Sequence, residues 1–111
     1  MSKDFQEINL SIKKLIEQGI VNPNIGEVSV SVPIIIESIN KHARTHGITL
    51  EQAQKFVDTS EIMFIQGNRN MYLSKDGSAT ILIENNRLIS AYGREHFHRG
   101  IIAILEVLGI E

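Results

Sequence analysis

The chain has 111 residues, of which 42% are hydrophobic, a formal net charge of −2 and no cysteine. This length suits one globular domain over residues 1–111 with a single core, and the lack of cysteine excludes disulfides, thiolate metal sites and a cysteine nucleophile. No stretch approaches the roughly 18 to 20 apolar residues of a membrane span, and the N-terminus lacks a signal-peptide pattern. We therefore expect a soluble protein, by default cytoplasmic.

The first half of the chain predicts three helices and a short strand. Apolar residues at helical spacing predict a first helix that ends near Gly19: Phe5, Ile8, Ile12, Leu15 and Ile16. Val28, Val30 and Val32 alternate with serines in the period of a strand. Pro33 suits the first turn of a second helix over residues 33–46, with Gly47 as its stop. Thr49 and Gln52 have the form of a capping box for a third helix over residues 50–58.

The second half predicts a sheet and a closing helix. Four strand-like runs, over residues 62–66, 71–74, 79–84 and 88–92, are separated by connections short enough to force an antiparallel meander. A last helix over residues 97–108 stops at Gly109. The predicted fold is α+β, with N-terminal helices, a four-stranded antiparallel meander and a C-terminal helix. The strand at Val28 is expected to add an edge if it joins the sheet.

All four histidines lie in two segments, residues 41–47 and 88–99. His42 and His46 share one face of the second predicted helix, because they are four residues apart. Imidazole titrates near neutrality and so serves as a general acid or base. One alternative is a helical zinc pair, with His96 or His98 as the third ligand. Another is that each histidine is a hydrogen-bonded residue at the edge of the core.

Ser90 and Tyr92 alternate along the last predicted strand and therefore project to the same face. A hydroxyl and a phenol placed just before Arg94 and His96 can hold a phosphate by hydrogen bonds and stack on a base. The alternative is that Tyr92 is a core aromatic and Ser90 a satisfied hydroxyl. No Gly-x-Ser-x-Gly turn surrounds Ser90, which disfavours a serine hydrolase.

Basic residues are concentrated between positions 41 and 99, where eight Lys or Arg stand against six Asp or Glu. Transfer at a phosphate places negative charge on the phosphoryl oxygens, which preorganised cations stabilise. The candidates for phosphate and RNA binding are Arg44, Arg69, Lys75 and Arg94, with Arg87 also available. For any one of them the alternative is a solvated surface charge.

Three short motifs resemble the BECR superfamily of small ribonucleases (the barnase, EndoU, colicin and RelE group), in particular its phage and polymorphic-toxin branches. They are Val28-Ser29-Val30-Ser31, His42-Ala43-Arg44-Thr45-His46 and Ile89-Ser90-Ala91-Tyr92, within residues 27–97. The resemblance implies RNA cleavage without a metal or cofactor. It nominates His42 or His46 as acid or base, Lys75 or Arg69 as phosphate stabiliser, and Ser90 with Tyr92 as positioning groups.

The expected function is thus a small metal-independent ribonuclease of a prophage or mobile element, with tRNA among its candidate substrates, acting by 2′-hydroxyl transesterification. The acidic flanks and apolar end helices leave open a non-catalytic interaction protein, such as an immunity, regulatory or phage structural factor, with a protein partner or inhibitor. A metal-dependent hydrolase is a third alternative. Residues 101–105 are apolar around much of the last helix, which predicts a homodimer through it.

Overall fold

The computed structural model describes residues 4–110, which form an α+β domain around one six-stranded sheet. The helices are α1 (Phe5–Glu17), α2 (Lys41–Thr45), α3 (Leu50–Thr59) and α4 (Arg99–Leu108), with a short 3₁₀ helix at Arg94–His96. The strands are β1 (Ile25–Val30), β2 (Ser38–Ile39), β3 (Ile62–Gln66), β4 (Arg69–Leu73), β5 (Ala79–Glu84) and β6 (Arg87–Gly93). Across the sheet the order is β1-β3-β4-β5-β6-β2. Among the residues described, no helix has the length and apolar character needed to cross a membrane.

Helices cover both faces of the sheet, and successive side chains of each strand point to opposite faces. Phe64 and Leu73 pack with α1 and α4 on what we call the α1/α4 face. Met63 and Tyr72 point the other way and pack with α2 and α3 on the α2/α3 face. The central strands are therefore largely buried on both sides of the sheet.

The predicted meander is confirmed. Strands β3 to β6 pair antiparallel in chain order, and β3 and β5 have the predicted bounds. Asn85 and Asn86 both have positive φ, 51° and 61°, as a tight hairpin requires. The capping box of α3 is also present, since the Thr49 and Gln52 side chains each accept the other's backbone N–H.

The prediction of four strands in a purely antiparallel sheet is wrong. Strand β1 adds one edge, pairing antiparallel with β3. At the other edge, β2 pairs parallel with the start of β6 through Ser38 opposite Arg87 and Ile39 opposite Leu88. A two-residue parallel strand has no alternating pattern of its own, so its pairing depends on contacts distant in sequence.

The predicted helix over residues 33–46 is also wrong. Only Lys41–Thr45 is helical, and it begins there because the Asn40 side chain accepts the Ala43 N–H at 2.9 Å. Ile39 lies in β2 and Ile35 is 72% exposed, so neither continues a helical stripe with His42. His42 and His46 are nevertheless neighbours on one helix, because His42 lies within α2 and His46 directly follows its last residue.

Side chains of α3 and β4 hold the extended segment before β2, which replaces the predicted helix. The Gln54 amide accepts the Ile36 N–H at 2.8 Å and donates to the Ile34 carbonyl at 2.8 Å. The buried Tyr72 hydroxyl donates to the Val32 carbonyl at 2.7 Å. These backbone groups of the segment therefore bond to side chains and not to each other, as they would in a helix. The segment stays extended, and α2 starts only after it.

Replacing Gln54 by alanine is expected to lower the free energy of unfolding by about 1–3 kcal/mol, because it leaves two part-buried backbone groups without partners. Urea denaturation measures the change. Lys55→Ala, at an exposed position of the same helix, is the matched control and should stay within about 0.5 kcal/mol of the parent protein. Equal effects of the two substitutions would show that Gln54 does not hold the segment.

Helix α4 uses its apolar residues within the chain. Ile101, Ile104, Leu105 and Leu108 are buried, and Ile102 and Ala103 also pack against the core of the α1/α4 face. The helix ends at Gly109, whose φ of 78° is left-handed. The apolar excess on this helix is therefore explained without a second copy of the chain.

Candidate active site

A cleft lies along the free edge of β6. Strand β2 pairs only with the first two residues of β6, and the last hydrogen bond at this edge runs from the Asn40 N–H to the Leu88 carbonyl at 3.0 Å. The chain then turns into α2. Beyond Leu88, residues 90–93 of β6 form the floor of an open cavity of about 670 Å³. Its lining residues are His42, Ala43, His46, Ile48, Ser90, Ala91, Tyr92, Gly93, Glu95, His96 and His98.

All four histidines of the protein line this cleft, on two walls. The first wall is α2, on the side of the α2/α3 face, where the rings of His42 and His46 meet edge-on with centroids 4.7 Å apart. The second wall is the segment after β6, residues 95–98, which carries His96 and His98 and packs through Phe97 on the α1/α4 face. The floor of β6 thus runs between two pairs of exposed imidazoles.

Ser90 and Tyr92 lie on the same face of β6, opposite Leu82 and Thr80 of β5, while Ala91 packs on the other face. The Tyr92 ring packs edge-on against Phe97, with centroids 5.8 Å apart. Burial raises the pKa of the Tyr92 phenol, so it is protonated at neutral pH. The phenol is therefore a hydrogen-bond donor and not a base. Its side chain packs with the core of the α1/α4 face, whereas α2 with its histidines lies on the α2/α3 face.

Glu95 brings a negative charge into the cleft. Its carboxylate lies beside Gly93, so close that a Cβ on Gly93 would be 2.7 Å from Oε2. Its Oε1 is 3.8 Å from Nε2 of His96, and both side chains are at least 70% exposed. A polar contact between side chains this exposed contributes little to stability, so it does not hold the Glu95 side chain in place.

Two of the predicted phosphate-binding residues lie away from the cleft and have acidic partners. The Nε of Arg69 is 3.2 Å from Oε1 of Glu84. This pair lies at one end of the strands, and Gly93 lies at the other end. Lys75 is in the turn between β4 and β5, and its Nζ is 3.6 Å from Oε1 of Glu61. The structure does not bring either residue to the histidines.

The other two predicted phosphate-binding residues flank the cleft without lining it. Arg44 lies between the two histidines of α2, with Nη2 3.5 Å from the Ile39 carbonyl. Arg94 follows the floor directly, and its backbone N–H donates to the Ser78 carbonyl. The predicted catalytic residues, by contrast, all line the cleft: His42, His46, Ser90 and Tyr92.

No three His, Asp or Glu side chains within residues 4–110 are placed to share a metal ion. His96 and His98 were not among the predicted catalytic residues, and the structure places them in the cleft as a second imidazole pair. The signal that could have found them is the confinement of all histidines to two segments. Nothing in the sequence pointed to Glu95 or to the open edge of β6.

Comparisons of the chain with protein-family models, with curated proteins and with solved structures each found no match.

Proposed function

We propose that this protein cleaves RNA without a metal, by attack of a ribose 2′-hydroxyl on the adjacent phosphate. The observation that carries the proposal is the convergence of four imidazoles from two distant segments on one open cleft beside Ser90 and Tyr92. Imidazole is the side chain best suited to exchange protons near neutrality. Exposure of these histidines suits a substrate too large to be enclosed.

The reaction needs one base and one acid. The base removes the 2′-hydroxyl proton, and the 2′-oxygen forms a bond to phosphorus while the bond from phosphorus to the 5′-oxygen breaks. The acid gives a proton to the departing 5′-oxygen. The products are a 2′,3′-cyclic phosphate and a 5′-hydroxyl, and no oxidant or further reactant is consumed.

Two walls suit this chemistry, because the attacking and leaving oxygens lie on opposite sides of the phosphorus. We assign one proton transfer to the His42/His46 pair and the other to the His96/His98 pair, across the floor of β6. The phosphate would lie between the two histidine pairs, and the Ser90 hydroxyl and the protonated Tyr92 phenol would donate hydrogen bonds to it. The imidazole that acts as acid carries a positive charge while it is protonated, so it also offsets charge on the phosphoryl oxygens.

The test is cleavage of a short oligoribonucleotide in EDTA. We expect cleavage products that end in a 2′,3′-cyclic phosphate, identified by mass. A matched oligonucleotide with 2′-O-methyl groups should remain intact, because it has no hydroxyl to deprotonate. Cleavage of the methylated strand, or a requirement for added divalent metal, would contradict the proposed reaction.

A second candidate, a non-catalytic interaction protein, is favoured by one observation. Leu10, Val30 and Val32 are 57%, 61% and 61% exposed and line a groove of about 830 Å³ between α1 and β1. Adjoining exposed apolar residues are typical of surfaces that bind a protein partner. Binding of the oligoribonucleotide without turnover, or no interaction with RNA, would favour this candidate.

A further inference from the structure

The backbone of the cleft floor points hydrogen-bond donors into the cleft. The Arg94 N–H donates toward β5, to the Ser78 carbonyl at 2.8 Å. Successive N–H groups of an antiparallel strand point to opposite sides. The Gly93 and Ala91 N–H groups therefore point away from β5, toward the open edge, and both residues line the cleft.

The two edges of the sheet differ in whether their outward backbone groups have hydrogen-bond partners. At the β1 edge, the Asn9 side chain accepts the Val28 N–H at 2.8 Å and donates to the Val28 carbonyl at 2.9 Å. Among the residues described, no group takes this role for Ala91 or Gly93 at the β6 edge. Unpaired edge donors next to four imidazoles favour an acidic ligand, because an N–H bond to an anion is stronger than one to a neutral acceptor.

We propose that the Ala91 and Gly93 N–H groups bind the phosphates of two consecutive nucleotides of single-stranded RNA, an inference that rests on the proposed function. Residues two apart in a strand are separated by about 6.6 Å, which is comparable with the distance between successive phosphates of a nucleic-acid chain. Backbone donors would then supply what the cleft lacks, since no Lys or Arg among the described residues lines it. The substrate class is an oligonucleotide with at least two phosphates.

An added peptide strand fits this edge less well. β2 and α2 close the edge up to Leu88, and the 3₁₀ helix begins at Arg94. Only two residues, Ala91 and Gly93, offer outward groups over the open stretch, whereas β-strands are usually three to ten residues long. The imidazoles on both walls also match phosphate chemistry rather than peptide recognition.

Glu95 opposes the ligand. Its carboxylate lies beside Gly93, where it repels an incoming phosphate. The side chain is 74% exposed and can swing away. Replacing Glu95 by glutamine removes the charge and keeps the shape, so it is expected to tighten phosphate binding several-fold.

The test uses a DNA dinucleotide with a 3′-terminal phosphate, which has two phosphates and no 2′-hydroxyl and so is not cleaved. In ¹H–¹⁵N spectra, its addition is expected to shift the Ala91 and Gly93 amide signals more than those of Val28 and Val30 at the other edge. Gly93→Pro removes the outward N–H, and its φ of −85° is close to the proline range. We expect Gly93→Pro to bind the dinucleotide about tenfold more weakly than Gly93→Ala, which retains the N–H and carries the same Cβ.

The outcomes separate this inference from the proposed function. Equal affinities of Gly93→Pro and Gly93→Ala, with unshifted Ala91 and Gly93 signals in the parent protein, would overturn the backbone site even if RNA is cleaved. Amide shifts by an unphosphorylated peptide and not by the dinucleotide would overturn it in favour of strand addition. Specific shifts by the dinucleotide without any RNA cleavage would support the backbone site and remove the proposed reaction.

Discussion

Replacing both His42 and His46 by alanine is expected to slow RNA cleavage at least about 100-fold, because it removes one of the two proton transfers from the cleft. Both residues line the cleft from α2, and both are exposed, so the substitutions leave the core intact. The measurement is the single-turnover rate on a fluorescent oligoribonucleotide in EDTA. The same loss is expected from replacing His96 and His98 together, because they form the opposite wall.

Lys41→Ala is the matched control for α2. Lys41 is exposed, begins the same short helix and does not line the cleft. Its cleavage rate should stay within about twofold of the parent rate, and urea denaturation should show that all variants remain folded. A double histidine variant that cleaves at the rate of the Lys41 control would exclude the α2 pair from the chemistry.

Leu105→Ala is expected to lower the free energy of unfolding by about 2–5 kcal/mol, the usual range for removing a fully buried leucine side chain. Leu105 is 0% exposed and lies at the centre of α4, which packs on the sheet and on α1. For a domain of this size such a loss is a large part of the total stability. Urea denaturation measures it directly.

Val107→Ala, at a partly buried position on the same helix, is the control and should cost less. The protein concentration is a second variable. If α4 is buried within the chain, the Leu105→Ala loss is independent of concentration, whereas a helix covered by a second copy gives an unfolding midpoint that rises with concentration. A loss below about 1 kcal/mol at Leu105 would contradict the packing of α4 described above.

The meander could be predicted because its signals are local. Short apolar runs within 62–66 and 79–84, bounded by turn residues, mark buried strands, and Asn85-Asn86 supplies the positive φ of the hairpin. The capping box of α3 is likewise contained within Thr49 to Gln52. Elements whose signals lie within a few residues need no knowledge of the rest of the chain.

The segment from Pro33 to Asn40 could not be predicted, because distant residues decide its conformation. A run of three isoleucines is compatible with helix or strand. Gln54 and Tyr72 take its backbone groups, and β6 pairs with its end. A capping asparagine at position 40 was the one local signal that a helix starts there and not at Pro33.

The site was partly predictable. The spacing of His42 and His46 identified a shared helical face, and the alternation of Ser90 and Tyr92 identified a shared strand face. The sequence did not show which basic residues lie near these side chains, because that depends on the order of strands in the sheet. The fold places Arg69 and Lys75 beside acidic partners, away from the cleft. The cleft exists because β2 ends at Ile39 and leaves the rest of the β6 edge open. The spacing of apolar residues in the sequence does not indicate where such an edge strand ends.

The roles of the two walls are tested most directly with an oligoribonucleotide whose scissile 5′-oxygen is replaced by sulfur. A thiolate leaves without being protonated, so this substrate has no need of the acid. Of the two double variants, His42→Ala/His46→Ala and His96→Ala/His98→Ala, one should regain most of its rate on the sulfur substrate and the other should remain slow. Two variants that respond alike, or that cleave the normal substrate as fast as the parent protein, would contradict a base on one wall and an acid on the other.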